Sequence, residues 1–541
     1  MNKLLGHAAG AATTVRVLGR AGVIRFYGPR KLVGLGRAVL RWGTGPAGGF
    51  ASLAVRTPDR VGLIDELGEL TFGELHRRSN ALARGLQSLG VGEGDSVAVM
   101  CRNHRGFVDA SIAVAKLGAD ILYLNTAFAG PQLVDVLQRE RPTVVVHDEE
   151  FTALLAKADV EQRLLAWVDG ASESDETLEA LIAAHDDSEL SAPGRHARIV
   201  ILTSGTTGTP KGAPRKEAGI DAAVSMLSRM PLRAGWTTHI AAPLFHTWGF
   251  AHLALAMLLG STVVLRRRFD PEGALRAIEE HQCESFVVIP VMLQRILALP
   301  DEILDAHALE TLQVVAASGS ALPGTMALSW MDHFGDNLYN IYGSTEVAYA
   351  SIATPEDLRA QPGSAGMPPY GTVVKIFDED GHEVEQGGVG RIFVGNNMLF
   401  EGYTGGGSKD MIDGLMSTGD VGRFDPDGRL YVEGRDDEMI VSGGENVFPK
   451  EVEDCLVGHD AVAEAAAIGV DDDDYGKRLR AFVSLRVAGS GQPGEDDLKA
   501  HVKAHLAGYK VPREIVILDE LPRNATGKVL KRDLVEWEGE A

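Results

Sequence analysis

Thr203-Ser204-Gly205-Thr206-Thr207-Gly208-Thr209-Pro210-Lys211-Gly212 follows directly on the apolar run Ile199-Val200-Ile201-Leu202. The run reads as a buried strand. The segment after it frees backbone N–H groups at its glycines, adds hydroxyl side chains and ends on a lysine. Such a set suits a polyphosphate. Lys211 does not stand in a GK[ST] arrangement, so this is no Walker loop. On residue types alone, a phosphate loop and an ordinary polar turn both stay open.

The same alternation extends outward in both directions. Phe72 to Leu89 places Leu75, Leu82 and Leu86 at helical spacing. Ser96 to Met100 reads as a buried strand, Val108 to Leu117 as a helix and Ile121 to Leu124 as the next strand. Val144 to Val146, Thr262 to Leu265, Ser285 to Ile289 and Leu312 to Ala316 continue the strand series. Strands separated by helices predict an α/β chain of βαβ units with mostly parallel sheets. Leu253 to Leu265 is too short to span a bilayer and reads as a buried helix running into a strand. After Phe377, turn pairs such as Asp380-Gly381 and Asp427-Gly428 predict a β-rich, more antiparallel unit. Beyond Gly434 the pattern predicts a small α+β domain. The run Asp471 to Asp474 reads as a solvated turn rather than a metal site.

The chain has 541 residues, 45% of them hydrophobic and 23% charged, which is ordinary for a globular protein. Its three cysteines, Cys101, Cys283 and Cys455, form no Cys-x-x-Cys pair, so neither a zinc cluster nor a disulfide framework is expected. The net charge of −23 is unevenly spread. Residues 1–58 hold nine Lys and Arg and no Asp or Glu, which leaves 43 basic against 75 acidic residues in the body. An acidic body argues against nucleic-acid binding. In the leader, arginines alternate with apolar residues, and Gly28-Pro29 breaks it into two short helices. Peripheral contact with an anionic membrane, an organelle-import leader and an extension whose arginines pair with the acidic body are the three readings it allows.

Further motifs recur in order along the chain: Ala242-Pro243-Leu244-Phe245-His246-Thr247-Trp248-Gly249, Ala317-Ser318-Gly319-Ser320-Ala321-Leu322-Pro323 and Asn340-Ile341-Tyr342-Gly343-Ser344-Thr345-Glu346. Ser417-Thr418-Gly419-Asp420 comes next, then Gly434-Arg435 with Ser442-Gly443-Gly444-Glu445-Asn446-Val447-Phe448-Pro449, then Pro522-Arg523-Asn524-Ala525-Thr526-Gly527-Lys528. With the Thr203–Gly212 loop, this series resembles the adenylate-forming superfamily of acyl-CoA synthetases, luciferases and peptide-synthetase adenylation domains. The likeness covers nearly the whole chain after the leader. It is most similar to bacterial, mycobacterial-type, medium- or long-chain fatty acid–CoA ligases.

The basic, amphipathic N-terminal extension spans residues 1–50, and the resemblance implies an AMP-binding domain over 51–434. It implies a hinge at 435–437 and a mobile C-terminal domain over 438–541. The large domain would hold two mostly parallel sheets with helices plus the β-rich subdomain. ATP, Mg2+ and CoA are the implied cofactor and cosubstrates. The loop from Thr203 to Lys211 would hold the phosphates, with Thr206 catalytic and Ser204 and Glu346 on Mg2+. Glu346 fits because a hard cation takes carboxylate oxygen. Tyr342 would stack on adenine, with Gly319, Ser320, Ala321 and the stretch from Asn340 through Thr345 around it. Asp420 and Arg435 would hold the ribose. Lys528 would offset the charge that builds when a carboxylate attacks the α-phosphate. His246, Trp248 and Gly249 would form the acyl pocket, His246 as an aromatic gate rather than a base. Gly443 and Gly444 would flank the CoA channel, and Asp437 would be the hinge. One departure is Asp436-Asp437-Glu438, more acidic than the common family form, which bears on the hinge.

The chain ends thirteen residues after Lys528, so free CoA is expected as acceptor. The Ala242–Gly249 motif has no aspartate to hold an α-ammonium, and Phe250, Leu253, Leu255, Met257 and Leu258 make the region apolar. A fatty acid is therefore the expected substrate. An aryl acid, an acyl-AMP ligase serving a carrier protein and a lipid-binding scaffold without catalysis are the alternatives. The expected setting is cytoplasmic, with the leader at the inner membrane face as one option. The oligomeric state stays open, a homodimer included.

Overall fold

The computed structural model describes residues 2–128, 130–170, 177–203, 211–212, 220–400, 402, 408–438, 440–442, 445–472, 476–486, 492–524 and 527–537. The leader forms two helices, α1 (Asn2–Arg20) and α2 (Pro29–Trp42), broken as expected before Pro29, the first residue of α2. α3 (Pro46–Arg56) straddles the expected boundary at residue 50. Its Ala47, Phe50, Ala51 and Leu53 are buried in the main core, so the packed body begins before residue 50. Among the described residues, Arg41 is the one cation of α1 and α2 within ion-pair distance of a carboxylate, Glu189 at 3.8 Å.

Two sheets carry the large domain. The first runs Gln162–Trp167, Val144–Asp148, Ser96–Met100, Asp120–Tyr123, Ile199–Thr203 and Lys211–Gly212 in spatial order. All its neighbours are parallel except the last pair. The second has six parallel strands, Leu338–Tyr342, Val314–Ala317, Ser285–Val288, Thr237–Ile240, Thr262–Val264 and Val61–Asp65. Antiparallel edges Ser351–Ala353 and Gly68–Thr71 close it. Strands buried on both faces need cover on both sides. Helix α4 (Arg105–Lys116) supplies much of it, touching strands of both sheets and buried at every position. Its charged groups are paired accordingly: Arg105 with Asp65 at 2.5 Å, Asp109 with Arg78 at 2.8 Å, and Lys116 with Asn80 Oδ1 at 2.6 Å and Ser79 Oγ at 2.8 Å.

Most boundaries fall where the periodicity puts them. Two differ for visible reasons. α4 begins three residues before Val108 because the His104 ring accepts from the Gly106 N–H at 3.1 Å and caps the helix, and histidine is not a usual capping signal. The strand expected from Leu312 starts at Val314, where the Gln313 and Val314 N–H groups first reach the Glu284 carbonyl. The segment Leu253 to Leu265 is the end of α5 (Thr247–Leu259) followed by Thr262–Val264, a buried helix and strand as expected.

Val373–Phe377, Gly390–Gly395, Leu415–Phe424, Met411–Ile412 and Leu430–Arg435 make an antiparallel sheet, the expected β-rich unit. In the C-terminal unit Gly476–Leu485 pairs antiparallel with Val462–Asp472 and Ile440–Ser442 and parallel with Glu514–Leu518. Helices α6 (Pro449–Val457) and α7 (Glu495–His505) pack over it through Val452, Leu456, Leu498 and Val502. Within the acidic run from Asp471, Asp472 corrects the solvated-turn expectation. Its side chain is buried and paired with Arg513 and, at 3.4 Å, with Arg478. Both arginines lie outside the run, so its composition does not reveal the pairing.

Candidate active site

Parallel strands leave their carboxyl ends open on one side of a sheet, and ligands in open α/β sheets bind there. A cavity of about 1960 Å3 lies at that edge of the eight-stranded sheet. It is lined by Ser318 to Pro323 after Val314–Ala317, and by Asn340 to Glu346 along and after Leu338–Tyr342. Asp420 and Arg435 enter from the β-rich sheet, and Lys528 from the C-terminal unit. The residues expected around adenine, ribose and the α-phosphate therefore share one wall of one cavity.

Backbone and side-chain hydrogen bonds hold that wall. The Ser318 hydroxyl donates to the Ile341 carbonyl at 2.8 Å. The Ser344 hydroxyl accepts from the N–H groups of Glu346 and Val347, and the Phe400 N–H donates to the Glu346 carbonyl at 2.9 Å. The Tyr342 hydroxyl donates to Asp420 Oδ2 at 2.5 Å, and Arg435 donates to Asp420 Oδ1 at 3.4 Å. Burial pushes the Asp420 carboxyl up, while Tyr342, Arg435, Lys528 and Lys409 work to keep it ionised. Burial also raises the Tyr342 phenol well above its ordinary value, with the adjoining Asp420 charge adding to it. Tyr342 thus stays a donor.

Lys528 arrives on a tight turn. The Asn524 side chain accepts from the Lys528 N–H, and the Asn524 N–H donates to the Lys528 carbonyl, both at 2.9 Å. Arg523 bonds the Gly527 carbonyl and pairs with Glu464 at 2.6 Å. Lys531 pairs with Glu438 at 2.7 Å and with Glu453 at 2.9 Å. Burial disfavours its charge, yet the two carboxylates hold its pKa above the ordinary value. A Cβ on Gly527 would lie 2.4 Å from Val291 Cγ1. Glycine lets this turn seat against the large domain.

The apolar end is built around α5. The Asn103 side chain donates to the Ala242 carbonyl at 2.9 Å and accepts from the Leu244 N–H at 2.9 Å, which fixes the turn before the helix. Trp248 Nε1–H donates to the Val288 carbonyl at 2.9 Å. His246 and Trp248 line the cavity with Ala251, Leu255, Met226 and Met257. Gly249 is not among the lining residues. A Cβ there would meet the Pro243 carbonyl oxygen at 2.3 Å, so the glycine lets α5 approach the turn behind it. Burial pushes His246 to about 4. At neutral pH its ring is uncharged.

Ser204 through Pro210, Gly443 and Gly444 lie outside the described residues, Thr206 among them. Thr203 and Lys211 are placed by backbone pairing alone, in adjacent antiparallel strands. Asp437 lies in the 3-10 turn Asp436–Glu438. Sequence reasoning missed Lys409, Lys531, Glu438 and Glu453 near the site. It also missed that Val39, Gly43 and Thr44 of the leader line the cavity. Lys531 carries a weak signal, three residues after Lys528, but its acids are distant in sequence.

A family model described as AMP-binding enzyme matches residues 50–404, and one described as AMP-binding enzyme C-terminal domain matches 451–528. The chain belongs to the AMP-binding enzyme family. It is 34% identical over 487 residues to a 2-succinylbenzoate–CoA ligase of Bacillus licheniformis, covering 88% of this chain and 97% of that protein. It is 32% identical over 471 residues to a feruloyl-CoA synthase of Amycolatopsis sp, covering 86% and 93%. Among solved structures, the anthranilate CoA ligase AuaEII in complex with anthranoyl-AMP superposes with a TM-score of 0.82 at 26% identity, over 91% of this chain and 96% of that one. This member of the AMP-binding family is an acyl- or aryl-CoA ligase of the AMP-forming kind. None of these three is named a fatty acid ligase, so the expectation of a fatty acid narrows no further here than an acyl or aryl acid.

Three buried histidines make the ligase acid-sensitive. His239 and His246 are lowered by burial to about 4, and His252 to about 3. Between pH 6.5 and 4 the unfolded chain binds protons at these positions and the folded one does not, so stability falls as pH falls. Each contributes up to about 1.4 kcal/mol per pH unit. Urea unfolding at pH 7.5 and 5.0 should show this loss, with a smaller loss in His252→Phe.

Proposed function

We propose that this ligase activates an aromatic carboxylic acid with ATP and passes it to CoA. The observation that carries the reading is the apolar end of the cavity. It holds neutral His246, Trp248 and Met257, next to the small residues Ala222, Ala223 and Ala251. This stretch of lining, with small side chains and no carboxylate, has room for a flat ring and offers no anion for an amino-acid ammonium. The named relatives support the same class. A fatty acid is the second reading. It is favoured by the cavity's continuation to Val39, Gly48, Gly49 and Ser52 of α2 and α3.

In the first step a carboxylate oxygen attacks the α-phosphorus of ATP and pyrophosphate leaves, giving acyl-AMP. Two anions meet there, and Lys528 at the cavity wall offsets their repulsion. Asp420 accepts from the ribose hydroxyls, its orientation set by Tyr342 and Arg435. Tyr342 offers its ring to adenine. The Thr203–Lys211 loop cradles the outer phosphates, Ser204 and Thr206 included. The Glu346 carboxylate, held by its backbone bonds, is the hard oxygen donor that Mg2+ requires, and bound Mg2+ neutralises phosphate charge. In the second step the CoA sulfur attacks the acyl carbon and AMP leaves. This asks Lys528 to withdraw and the Gly443-Gly444 segment to approach. Rotation of residues 438–541 about Asp437 would exchange the two.

The leader belongs to the same reading. Leu32, Val33, Val39 and Leu40 form one outward apolar face on α2, with Leu40 86% exposed, and Phe26 projects just before it. Arg30, Arg37 and Arg41 flank that face. An anionic lipid surface would attract this acid-free segment and repel the acidic body, so only the leader would dock. Val39 belongs both to that face and to the cavity lining, so an acid dissolved in the lipid would meet the cavity there. No described helix is long and apolar enough to cross a membrane.

Mass spectrometry of the purified enzyme with ATP, Mg2+, CoA and a mixture of ferulate, benzoate and C6 to C16 fatty acids should show mainly aryl-CoA. Mainly alkyl-CoA would move the assignment to the second reading, and acyl-AMP without thioester to a carrier-dependent ligase. Lys528→Ala should lower acyl-AMP formation by about 100-fold or more. In flotation assays, the protein should bind vesicles containing phosphatidylglycerol, less so in high salt, and not pure phosphatidylcholine. Leu32→Glu with Leu40→Glu should release it. No vesicle binding, together with a dimer that the same pair disrupts, would assign the face to a second copy instead.

A further inference from the structure

Cys455 and His501 are brought together by the packing of α6 against α7, whose shared core is Val452, Leu456, Leu498 and Val502. His505 lies one turn beyond His501 on α7, so both rings point to one side. One ligand atom each from Cys455, His501 and His505 lie within 4.8 Å of one another. We propose that these three side chains bind a zinc-type divalent cation on the C-terminal unit, apart from the nucleotide cavity.

The hydrogen bonds already orient the rings for this. His501 Nε2 lies 3.0 Å from the Cys455 carbonyl oxygen, and His505 Nδ1 lies 2.8 Å from the His501 carbonyl oxygen. A carbonyl oxygen can only accept, so each of those nitrogens carries the proton. In the neutral imidazoles this leaves His501 Nδ1 and His505 Nε2 with lone pairs. An imidazole anchored through one N–H to a carbonyl is the arrangement that aims the other nitrogen at a metal. A tetrahedral centre with bonds of about 2.0–2.3 Å needs ligand atoms roughly 3.3–3.8 Å apart. The ligand atoms, within 4.8 Å of one another, would draw together by side-chain rotation. His459 stacks edge-on against His501 at 5.1 Å, but its Nδ1 already accepts from the Ala461 N–H. It walls the site and leaves the fourth position to water.

The donor set decides the class of cation. A thiolate with two imidazoles suits zinc and its soft neighbours, and it offers Mg2+ no oxygen. The placement also gives the cation a consequence. Lys450, Glu453, Asp454 and Val457 of α6 line the nucleotide cavity, and by helical geometry Cys455 lies on another face. A bound cation would tie that helix to α7 from behind without entering the cavity. The other Cys and His cluster, Cys101 with His104 and Asp148, does not compare. It is fully buried, His104 Nε2 bonds Asp148 at 2.7 Å and its Nδ1 accepts from Gly106.

The test uses tag-free, full-length, chelator-stripped protein titrated with Co2+. Stoichiometric uptake should give ligand-field bands together with a thiolate-to-cobalt charge-transfer band, both removed by Zn2+. Zn2+ should raise the thermal midpoint. It should also protect Cys455 from iodoacetamide, mapped by peptide mass, while Cys101 and Cys283 are shielded by burial. Cys455→Ser should abolish the charge-transfer band while keeping the metal-free thermal midpoint. His501→Ala and His505→Ala should each weaken Co2+ binding by roughly tenfold or more. No Co2+ uptake, uptake without the charge-transfer band, or Cys455 alkylated equally with and without Zn2+ would overturn the assignment.

Discussion

The seat of Gly527 against Val291 governs where Lys528 sits. With a Cβ at 2.4 Å from Val291 Cγ1, the turn would have to lift away from the large domain and take its lysine with it. The turn does not reach across as a loose arm. Arg523 with Glu464, and Lys531 with Glu438 and Glu453, bind it to its own unit through charged pairs. Such pairs gain little net energy when buried, because desolvation offsets attraction, but losing one partner is costly. Their effect is to make the lysine turn and the C-terminal unit one body. Glu438 stands just after the expected hinge, so the first residue beyond it is tied to the lysine turn. A rotation there would carry Lys528 as rigid cargo.

The cavity divides by charge along its length. At the nucleotide end, one buried carboxylate, Asp420, collects a phenol and an arginine and feels Lys528 and Lys409. At the other end, His246 and Trp248 face aliphatic and thioether side chains, and burial keeps the histidine neutral. An acid with a charged head and an apolar body matches that division. Its carboxylate would meet the phosphate where the cations stand, and its body would displace water from the apolar end. Asn103 pins the turn before α5 to the first sheet, just after Ser96–Met100.

The leader shows how one composition serves two faces. Trp42 and Ala38 of α2 turn inward and join the main core, while Leu32, Val33 and Leu40 of the same helix face outward. Lys116, buried in α4, lies 5.8 Å from the Trp42 ring centroid, so the inner face is tied to the deepest layer of the molecule. The extension is therefore part of the fold on one side and an uncovered apolar surface on the other. Of its basic residues, Arg25 and Lys31 donate to the Ala234 and Arg56 carbonyls and Arg41 pairs with Glu189.

The sequence by itself determined the succession of strands and helices, because strand and helix periodicities and their turn residues are local. Ser96–Met100, Val144–Asp148 and the break before Pro29 could be read from a few neighbouring residues. It also determined which residues converge on the nucleotide end, through motifs whose chemistry is carried by short runs such as Asn340 to Glu346. Tertiary structure alone decided what depends on distant partners. Asp472 looked like one of four solvated acids until Arg478 and Arg513 covered it, and the acids that pair with Lys531, Glu438 and Glu453, come from distant parts of the chain. Gly249, placed by its motif at the apolar pocket, turned out to face the backbone behind α5. Cys455, His501 and His505 share no spacing that marks a metal site, since 46 residues separate Cys455 from His501 and only helix packing removes that gap. Local periodicity is written in neighbouring residues, whereas charge pairing, close approach and ligand convergence depend on where remote parts of the chain meet.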